Sequence, residues 1–203
     1  MTRVLVIGRS PGVLLEIVDR LRDHGYEADA TNQFDRVVDD YAVGEYDVLV
    51  FGGAVPPDTK QLIRARAEEL NPHVAVVQGL AGIAGVVAGQ VRELMSTHRA
   101  TVTYEATPRR TVRLDLPEAA QVGVEAFWGT FVPPEPTSTS LAVASAEFES
   151  GVHEIPVPRE VPGATSFVVV TVGDETSVLA VGKVQGLAPG TPLSVPTPVS
   201  TGL

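Results

Sequence analysis

Cysteine is absent from the 203 residues of this chain, so disulfide bonds and thiolate metal sites are excluded. Long apolar runs are absent as well, and no stretch approaches the about 20 apolar residues that a membrane-spanning helix needs. The apolar run at residues 4–7 is shorter than the apolar core of a secretory signal peptide. These absences predict a cytoplasmic protein with no membrane partner.

Basic residues are scarce, and the formal net charge is −10 with an isoelectric point near 4.8. Residues 1–98 hold nine Lys or Arg against fourteen Asp or Glu, and residues 99–203 hold six against eleven. Each half therefore carries a charge of −5. A nucleic-acid-binding protein is expected to present a basic stripe. The sequence therefore predicts no nucleic-acid partner.

The first half alternates short apolar runs with segments of helical periodicity. The apolar runs, typical of buried strands, lie at residues 3–7, 26–30, 47–51 and 73–78, and the helical segments at residues 13–21, 34–41, 58–70 and 80–95. Ser10 and Asp58 are predicted N-caps, Pro11 is placed at a first helical position, and Gly25 is placed just after a helix end. This βα repeat predicts a parallel sheet with right-handed crossovers.

The first half is organised around one segment, Tyr46-Asp-Val-Leu-Val-Phe-Gly-Gly-Ala-Val-Pro-Pro57. Its apolar run reads as a central strand that stops at Gly52 and Gly53, at the carboxyl edge of the sheet. Ligands of open α/β sheets bind at that edge. Glycine there offers no group that ionises, attacks or binds metal.

The second half has a different pattern, with alternation at period two and no helical periodicity. Seven such segments, separated by turn residues, lie at 101–105, 111–116, 121–127, 141–148, 153–157, 166–172 and 177–184. They predict an antiparallel β-sandwich of immunoglobulin-like size at residues 99–186, with the last two segments forming a hairpin. The sequence does not decide whether residues 100–105 start this sandwich or form a fifth strand of the first sheet. Residues 187–203, rich in Pro, Ser and Thr, are predicted to be a flexible tail.

On the segment at residues 46–57, the first half resembles a response-regulator receiver domain. Receivers end the corresponding strand in a phospho-accepting Asp, and here Gly52 stands at that position. They place an acidic pair after the first strand to hold Mg²⁺, and here Gly8 and Arg9 stand there. The fourth strand ends in Gln78 and Gly79 instead of Thr or Ser, and no lysine matches the family's conserved one.

The resemblance implies a flavodoxin-like parallel sheet with helices on both faces over residues 1–98. Since the residues for phosphotransfer do not match, it also implies a pseudo-receiver, which keeps the fold for protein contacts and is not phosphorylated. We therefore predict a non-catalytic regulatory or scaffolding protein with no cofactor, an unidentified protein partner and the capacity to form a homo-oligomer.

A second interpretation uses the glycines that end three strands. A nucleotide or NAD(P) could lie across the carboxyl edge with its phosphates on helix N-termini and an acidic partner for its ribose. The residues predicted for such a site are Gly8, Arg9, Ser10, Gly12, Asp29, Gly52, Gly53, Gln78 and Gly79. Against it, the residues after the first strand do not spell G-x-G-x-x-G, and tight βα turns need glycine without any ligand. The four histidines show no metal-ligand spacing, so no metal site is predicted.

Overall fold

A computed structural model describes residues 1–80, 82–132 and 135–181, without the side chains at 131–132 and 135–136. The predicted tail at 187–203 lies outside the described residues. One compact unit contains Met1–Ala88, and a second contains Gly89–Val132 and residues 137–181. The change of unit falls inside a helix, about ten residues before the domain boundary expected from the sequence.

The first unit alternates strands and helices. Its elements are β1 (Arg3–Ile7), α1 (Pro11–Asp23), β2 (Glu27–Thr31), α2 (Val37–Asp40), β3 (Val48–Phe51), α3 (Pro57–Leu70), β4 (Ala75–Gln78) and the first part of α4 (Ala84–Met95), with 3₁₀ turns at Phe34–Arg36 and Val43–Glu45. The strands form one parallel sheet in the order β2-β1-β3-β4, with Val4 paired to Ala28 and to Val48. The predicted parallel α/β arrangement is confirmed.

The boundaries of α1 agree with the sequence signals, whereas those of α2 and α3 differ from them. Ser10 and Pro11 occupy the predicted N-cap and first helical positions of α1, and Gly25 has the positive φ of 82° that suits a residue after a helix end. The prediction that Asp58 is the N-cap of α3 is wrong. Pro56 is the N-cap residue, and Asp58 lies in the first turn. The predicted helix at 34–41 is reduced to a 3₁₀ turn and the four residues of α2.

The second unit is built from antiparallel strands. They are β5 (Thr101–Glu105), β6 (Thr111–Leu116), β7 (Ala120–Val132), β8 (Glu135–Phe148), β9 (Gly151–Pro156), β10 (Ser166–Val172) and β11 (Glu175–Ala180). Two sheets result, with the orders β11-β10-β7-β8 and β5-β6-β9. The predicted hairpin is confirmed, with Phe167 opposite Ala180 and a turn at Gly173, where φ is 55°.

The strand at residues 101–105, for which the sequence left two assignments open, belongs to the second unit. Thr101 pairs with Asp115 and Glu105 with Thr111, in the antiparallel sense. One apolar cluster is shared by both antiparallel sheets: it includes Leu114 of β6, Val124 of β7 and Val168 of β10. The chain is therefore a parallel α/β unit followed by an antiparallel β unit. Within the described residues, no helix combines the length and apolar character needed to cross a membrane.

Candidate functional site

A cavity of about 290 Å³ lies at the carboxyl edge of the parallel sheet, entirely within the first unit. The ends of β1, β3 and β4 form its floor, and the first turns of α1 form a wall. Its described lining residues are Val6, Ile7, Gly8, Arg9, Ser10, Val13, Leu14, Ile17, Val50, Gly52, Gly53, Ala54, Gly79, Gly82 and Val87. The volume is at the lower end of the ~300–1,000 Å³ typical of small-molecule sites.

The wall of the cavity is apolar because α1 turns its hydrophobic stripe toward the sheet. Leu14 and Ile17 are buried on that stripe, and Val6 and Val50 are buried on the two central strands. Helical spacing of apolar residues and strands buried on both faces explain this placement. A ligand that enters the cavity therefore meets mostly aliphatic carbon.

The three glycines that end the strands have their backbone N–H groups committed to the sheet. Gly8 N–H donates to the Thr31 carbonyl at 3.1 Å, Gly52 N–H to the Ile7 carbonyl at 2.8 Å, and Gly79 N–H to the Phe51 carbonyl at 2.9 Å. The parallel hydrogen-bond ladder thus continues past the last strand residues. None of these three donors remains for a phosphate group, although all three residues line the cavity.

Gly52 is held in close contact with the backbone at the end of a neighbouring strand. A Cβ atom at Gly52 would lie 3.3 Å from Gly8 Cα and 3.4 Å from the Ile7 carbonyl oxygen, both backbone atoms. Gly53 differs, because a Cβ atom there would meet nothing within 4 Å. A side chain is therefore crowded at position 52 and free to project at position 53.

Arg9 and Ser10 are the polar side chains of the lining. Arg9 is exposed, and its guanidinium has no hydrogen-bond or ion-pair partner among the described residues. Ser10 is half-buried, and its hydroxyl makes no capping bond to α1 and has no other partner in the described part of the chain. The cavity therefore combines an aliphatic wall with one cation and one uncommitted hydroxyl.

Two of the residues predicted for a nucleotide site are engaged elsewhere. The Asp29 carboxylate accepts a hydrogen bond from the Tyr46 hydroxyl at 2.9 Å and lies 3.8 Å from the Arg22 guanidinium. Burial, followed by this bond to Asp29, raises the pKa of Tyr46. Gln78 donates from Nε2 to the Phe51 carbonyl at 2.8 Å. Asp29, Gln78 and Gly12 do not line the cavity, whereas Gly8, Arg9, Ser10, Gly52, Gly53 and Gly79 do.

Lys60 lies beside this edge without entering it. Its ammonium group donates to Gln78 Oε1 at 2.9 Å, and burial lowers its pKa. The ammonium group of Lys60 therefore has an amide partner at the end of β4 and does not line the cavity. The described lining of the cavity contains no carboxylate, imidazole or amine. In chemical terms this arrangement can bind a ligand, but it holds no base that would activate the Ser10 hydroxyl.

The described residues contain no group of three or more His, Asp or Glu side chains arranged to hold a metal ion. The His24 ring lies at the end of α1, with Nδ1 2.7 Å from the Arg20 carbonyl oxygen. The His153 ring similarly contacts the Glu149 carbonyl oxygen through Nε2 at 2.7 Å. Both rings therefore have local backbone partners.

A second cavity, of about 510 Å³, lies within the second unit and was not expected from the sequence. Arg99 spans part of its lining, with its guanidinium 3.1 Å from both Glu118 and Glu175. Glu175 also accepts hydrogen bonds from the Arg99 and Ala100 N–H groups at 2.9 and 3.1 Å. Burial acts against the charge of Glu175, but these donors outweigh it and lower its pKa. No local signal could have revealed residues that are 76 positions apart.

No protein-family model matches the chain, and no curated protein matches it. A solved structure of an NAD kinase from Archaeoglobus fulgidus in complex with ATP has 13% sequence identity and a TM-score of 0.31, over 93% of this chain and 88% of that one. A TM-score this low supports no inference about this chain's fold or function.

Proposed function

We propose that this chain is a non-catalytic regulatory protein that binds a small ligand at the carboxyl-edge cavity and acts through contacts with a partner protein. The observation that carries the proposal is the cavity itself. It is lined mainly by aliphatic side chains and glycines, it opens at the edge where α/β sheets bind ligands, and its described lining holds no carboxylate, imidazole or amine. Ligand occupancy would then replace phosphorylation as the regulatory event.

A degenerate receiver domain in the first unit is part of this proposal. The strand order β2-β1-β3-β4 agrees with the first four strands of a flavodoxin-like sheet, 2-1-3-4-5. The crowding at Gly52 supports the absence of phosphorylation, because even a restored acidic side chain there would press on the backbone of β1. Helices on both faces of the sheet belong to the same proposal.

An immunoglobulin-like β-sandwich in the second unit is the remaining structural part of the proposal. The apolar cluster shared by the two antiparallel sheets supports it, since a sandwich buries its core between two inner faces. We assign to this unit the contact with the partner protein, or with a second copy of the chain, and we place the protein in the cytoplasm.

A thermal-shift screen tests the proposal, using nucleotides, flavins, small carboxylic acids, and acetyl phosphate with Mg²⁺. A ligand at one hundred times its dissociation constant should stabilise the protein by about 2.7 kcal/mol. Gly53→Leu should abolish the shift by extending a side chain from the cavity lining, and Gly163→Leu, also at an uncrowded position, is the control. Intact-mass analysis should show no phosphoryl group after acetyl phosphate treatment. A covalent phosphoryl adduct, or silence across the whole panel, would refute the ligand-sensing proposal.

The second candidate is a nucleotide- or NAD(P)-binding sensor or enzyme. The observation that favours it is the position of the α1 N-terminus at the cavity, since helix N-termini attract phosphate groups. The committed N–H groups of Gly8, Gly52 and Gly79 weigh against it, as does the small volume for a dinucleotide. In the same screen, stabilisation by ATP or NAD that Gly53→Leu removes would favour this candidate.

A further inference from the structure

The cavity has an aliphatic wall and, on its exposed side, the cationic side chain of Arg9. These two features indicate the chemical class of the ligand. We infer that the cavity takes a small carboxylic acid with an apolar body, the carboxylate being held by Arg9 and Ser10. The inference rests on the proposed ligand-binding function and names the ligand class of the same site.

The apolar wall accounts for the body of the ligand. Leu14, Ile17, Val6 and Val50 are each no more than 6% exposed, so their positions are fixed by the packing of α1 on β1 and β3. Burying apolar ligand surface against such a preformed aliphatic wall stabilises the complex by roughly 25 cal/mol per Å² of apolar area. A purely polar ligand such as inorganic phosphate would leave this wall unused.

Arg9 and Ser10 account for the charged end. They are adjacent in the chain, both line the cavity, and neither side chain has a partner among the described residues. A guanidinium offers two parallel N–H donors that match a carboxylate, and a hydroxyl adds a third donor. No carboxylate in the described lining neutralises Arg9, so an anion is attracted and a cation is repelled.

Part of the backbone at this edge cannot donate to an anion. Phosphate sites at helix N-termini use several converging N–H groups. Here the N–H groups of Gly8 and Gly52 donate to the Thr31 and Ile7 carbonyls, and Pro11 has no N–H group. The Arg9 and Ser10 side chains supply donors that match the two oxygens of a carboxylate, and the aliphatic wall suits a ligand whose other atoms are apolar.

The test compares acids with neutral molecules of the same shape by isothermal titration calorimetry on the full chain. The ligands are phenylacetate and indole-3-acetate, their amides, inorganic phosphate and AMP. Each acid is expected to bind about five- to tenfold more tightly than its amide, the difference that one charge-assisted contact provides. Phosphate and AMP are expected to bind more weakly than either acid.

Two arginine variants assign the difference to the proposed group. Arg9→Gln should reduce the acid-to-amide ratio to about one, while the amide affinity stays unchanged. Arg109→Gln removes the same charge from another exposed arginine without a described ion pair and should leave the ratio as it is. Ser10→Ala should lower acid affinity about threefold, the loss of one hydrogen bond.

The outcomes separate the inference from the function on which it rests. If acid and amide bind equally, or if Arg9→Gln changes both alike, the carboxylate inference is wrong and the cavity remains a ligand site. If AMP or phosphate binds more tightly than the acids, the site prefers phosphate and the inference is also wrong. If no ligand gives heat or a thermal shift at concentrations up to about 10 mM, both proposals are wrong.

Discussion

The Glu93 carboxylate on α4 accepts a hydrogen bond from the backbone N–H of Val178 at 3.2 Å. One helical turn later, the Ser96 hydroxyl accepts from the N–H of Thr176 at 3.0 Å. Both donors belong to β11, the last strand in its sheet, and they lie two residues apart as the outward N–H groups of an edge strand do. Glu93 on α4 and Ser96, directly after the end of α4, thus cover an edge that would otherwise be open to pairing with another chain.

We expect Glu93→Ala to destabilise the protein by about 1–3 kcal/mol, because it leaves a buried backbone donor without this acceptor. Ser96→Ala should cost about 1 kcal/mol for the same reason. Urea denaturation measures both. Glu118→Ala is the control: its side chain is 68% exposed in an ion pair with Arg99, and such pairs contribute about 1 kcal/mol or less. Equal losses for Glu93→Ala and Glu118→Ala would contradict the edge-covering role.

Glu175 should make the free energy of unfolding depend on pH. Burial acts against its charge, but the N–H groups of Ala100 and Arg99 and the Arg99 guanidinium lower its pKa in the folded chain. Its stabilisation is therefore complete above the unfolded pKa of about 4.3 and is lost as the pH falls through the lower, folded pKa. Glu175→Gln should be less stable than wild type at pH 7, and the gap should narrow below about pH 4. A gap that is constant between pH 7 and pH 3, in urea titrations, would contradict this linkage.

At Gly89, substitution by Ala has two opposing effects on stability, one from helix propensity and one from packing. In a helix interior, Gly→Ala normally stabilises by about 1 kcal/mol through backbone propensity. At Gly89, however, a Cβ atom would lie 3.0 Å from Cγ2 of both Val169 and Val178. We expect the overpacking to win and Gly89→Ala to lower the melting temperature, whereas Gly163→Ala, which meets nothing within 4 Å, should not. A more stable Gly89→Ala variant would show that the contact relaxes.

The neighbouring glycines of the candidate site should respond differently to the same change. Gly52→Ala is expected to destabilise by about 1–2 kcal/mol, because its Cβ atom would press on backbone atoms of β1 that cannot rotate away. Gly53→Ala is expected to change stability by less than about 0.5 kcal/mol. Chemical denaturation of the two variants decides the matter. Equal effects would mean that the Gly8 and Gly52 backbones are not held in contact.

Ser10→Ala should leave stability almost unchanged, although N-cap serines usually contribute about 1 kcal/mol. The reason is that the Ser10 hydroxyl makes no capping bond to α1. Thermal denaturation without ligand should therefore show a change below about 0.5 kcal/mol. A loss of 1 kcal/mol or more would show that the hydroxyl caps the helix, and it would then be unavailable to a ligand.

The elements that the sequence predicted best have short-range causes. Helical spacing predicted α1, the glycine at position 25 predicted its end, and period-two alternation predicted the seven antiparallel strands found in the described residues. The residues lining the cavity were found in part for the same reason, because βα turns bring strand ends to one edge. The predicted helix at 34–41 was too long, because a 3₁₀ turn followed by the four residues of α2 is enough to pack Val37 into the core.

The sequence by itself determined the two classes of structure and the glycine-rich edge of the parallel sheet, because periodicity and turn residues act within a few positions. Only the tertiary structure decided which groups at that edge remain free. The Gly52 N–H donates to the Ile7 carbonyl, and the Asp29 carboxylate accepts from the Tyr46 hydroxyl. The side-chain donors of Arg9 and Ser10 have no partner among the described residues. The same holds for Glu93 and Val178, which lie 85 residues apart and meet only when α4 packs beside β11. Hydrogen bonds of this kind depend on distance in space, which no local pattern encodes.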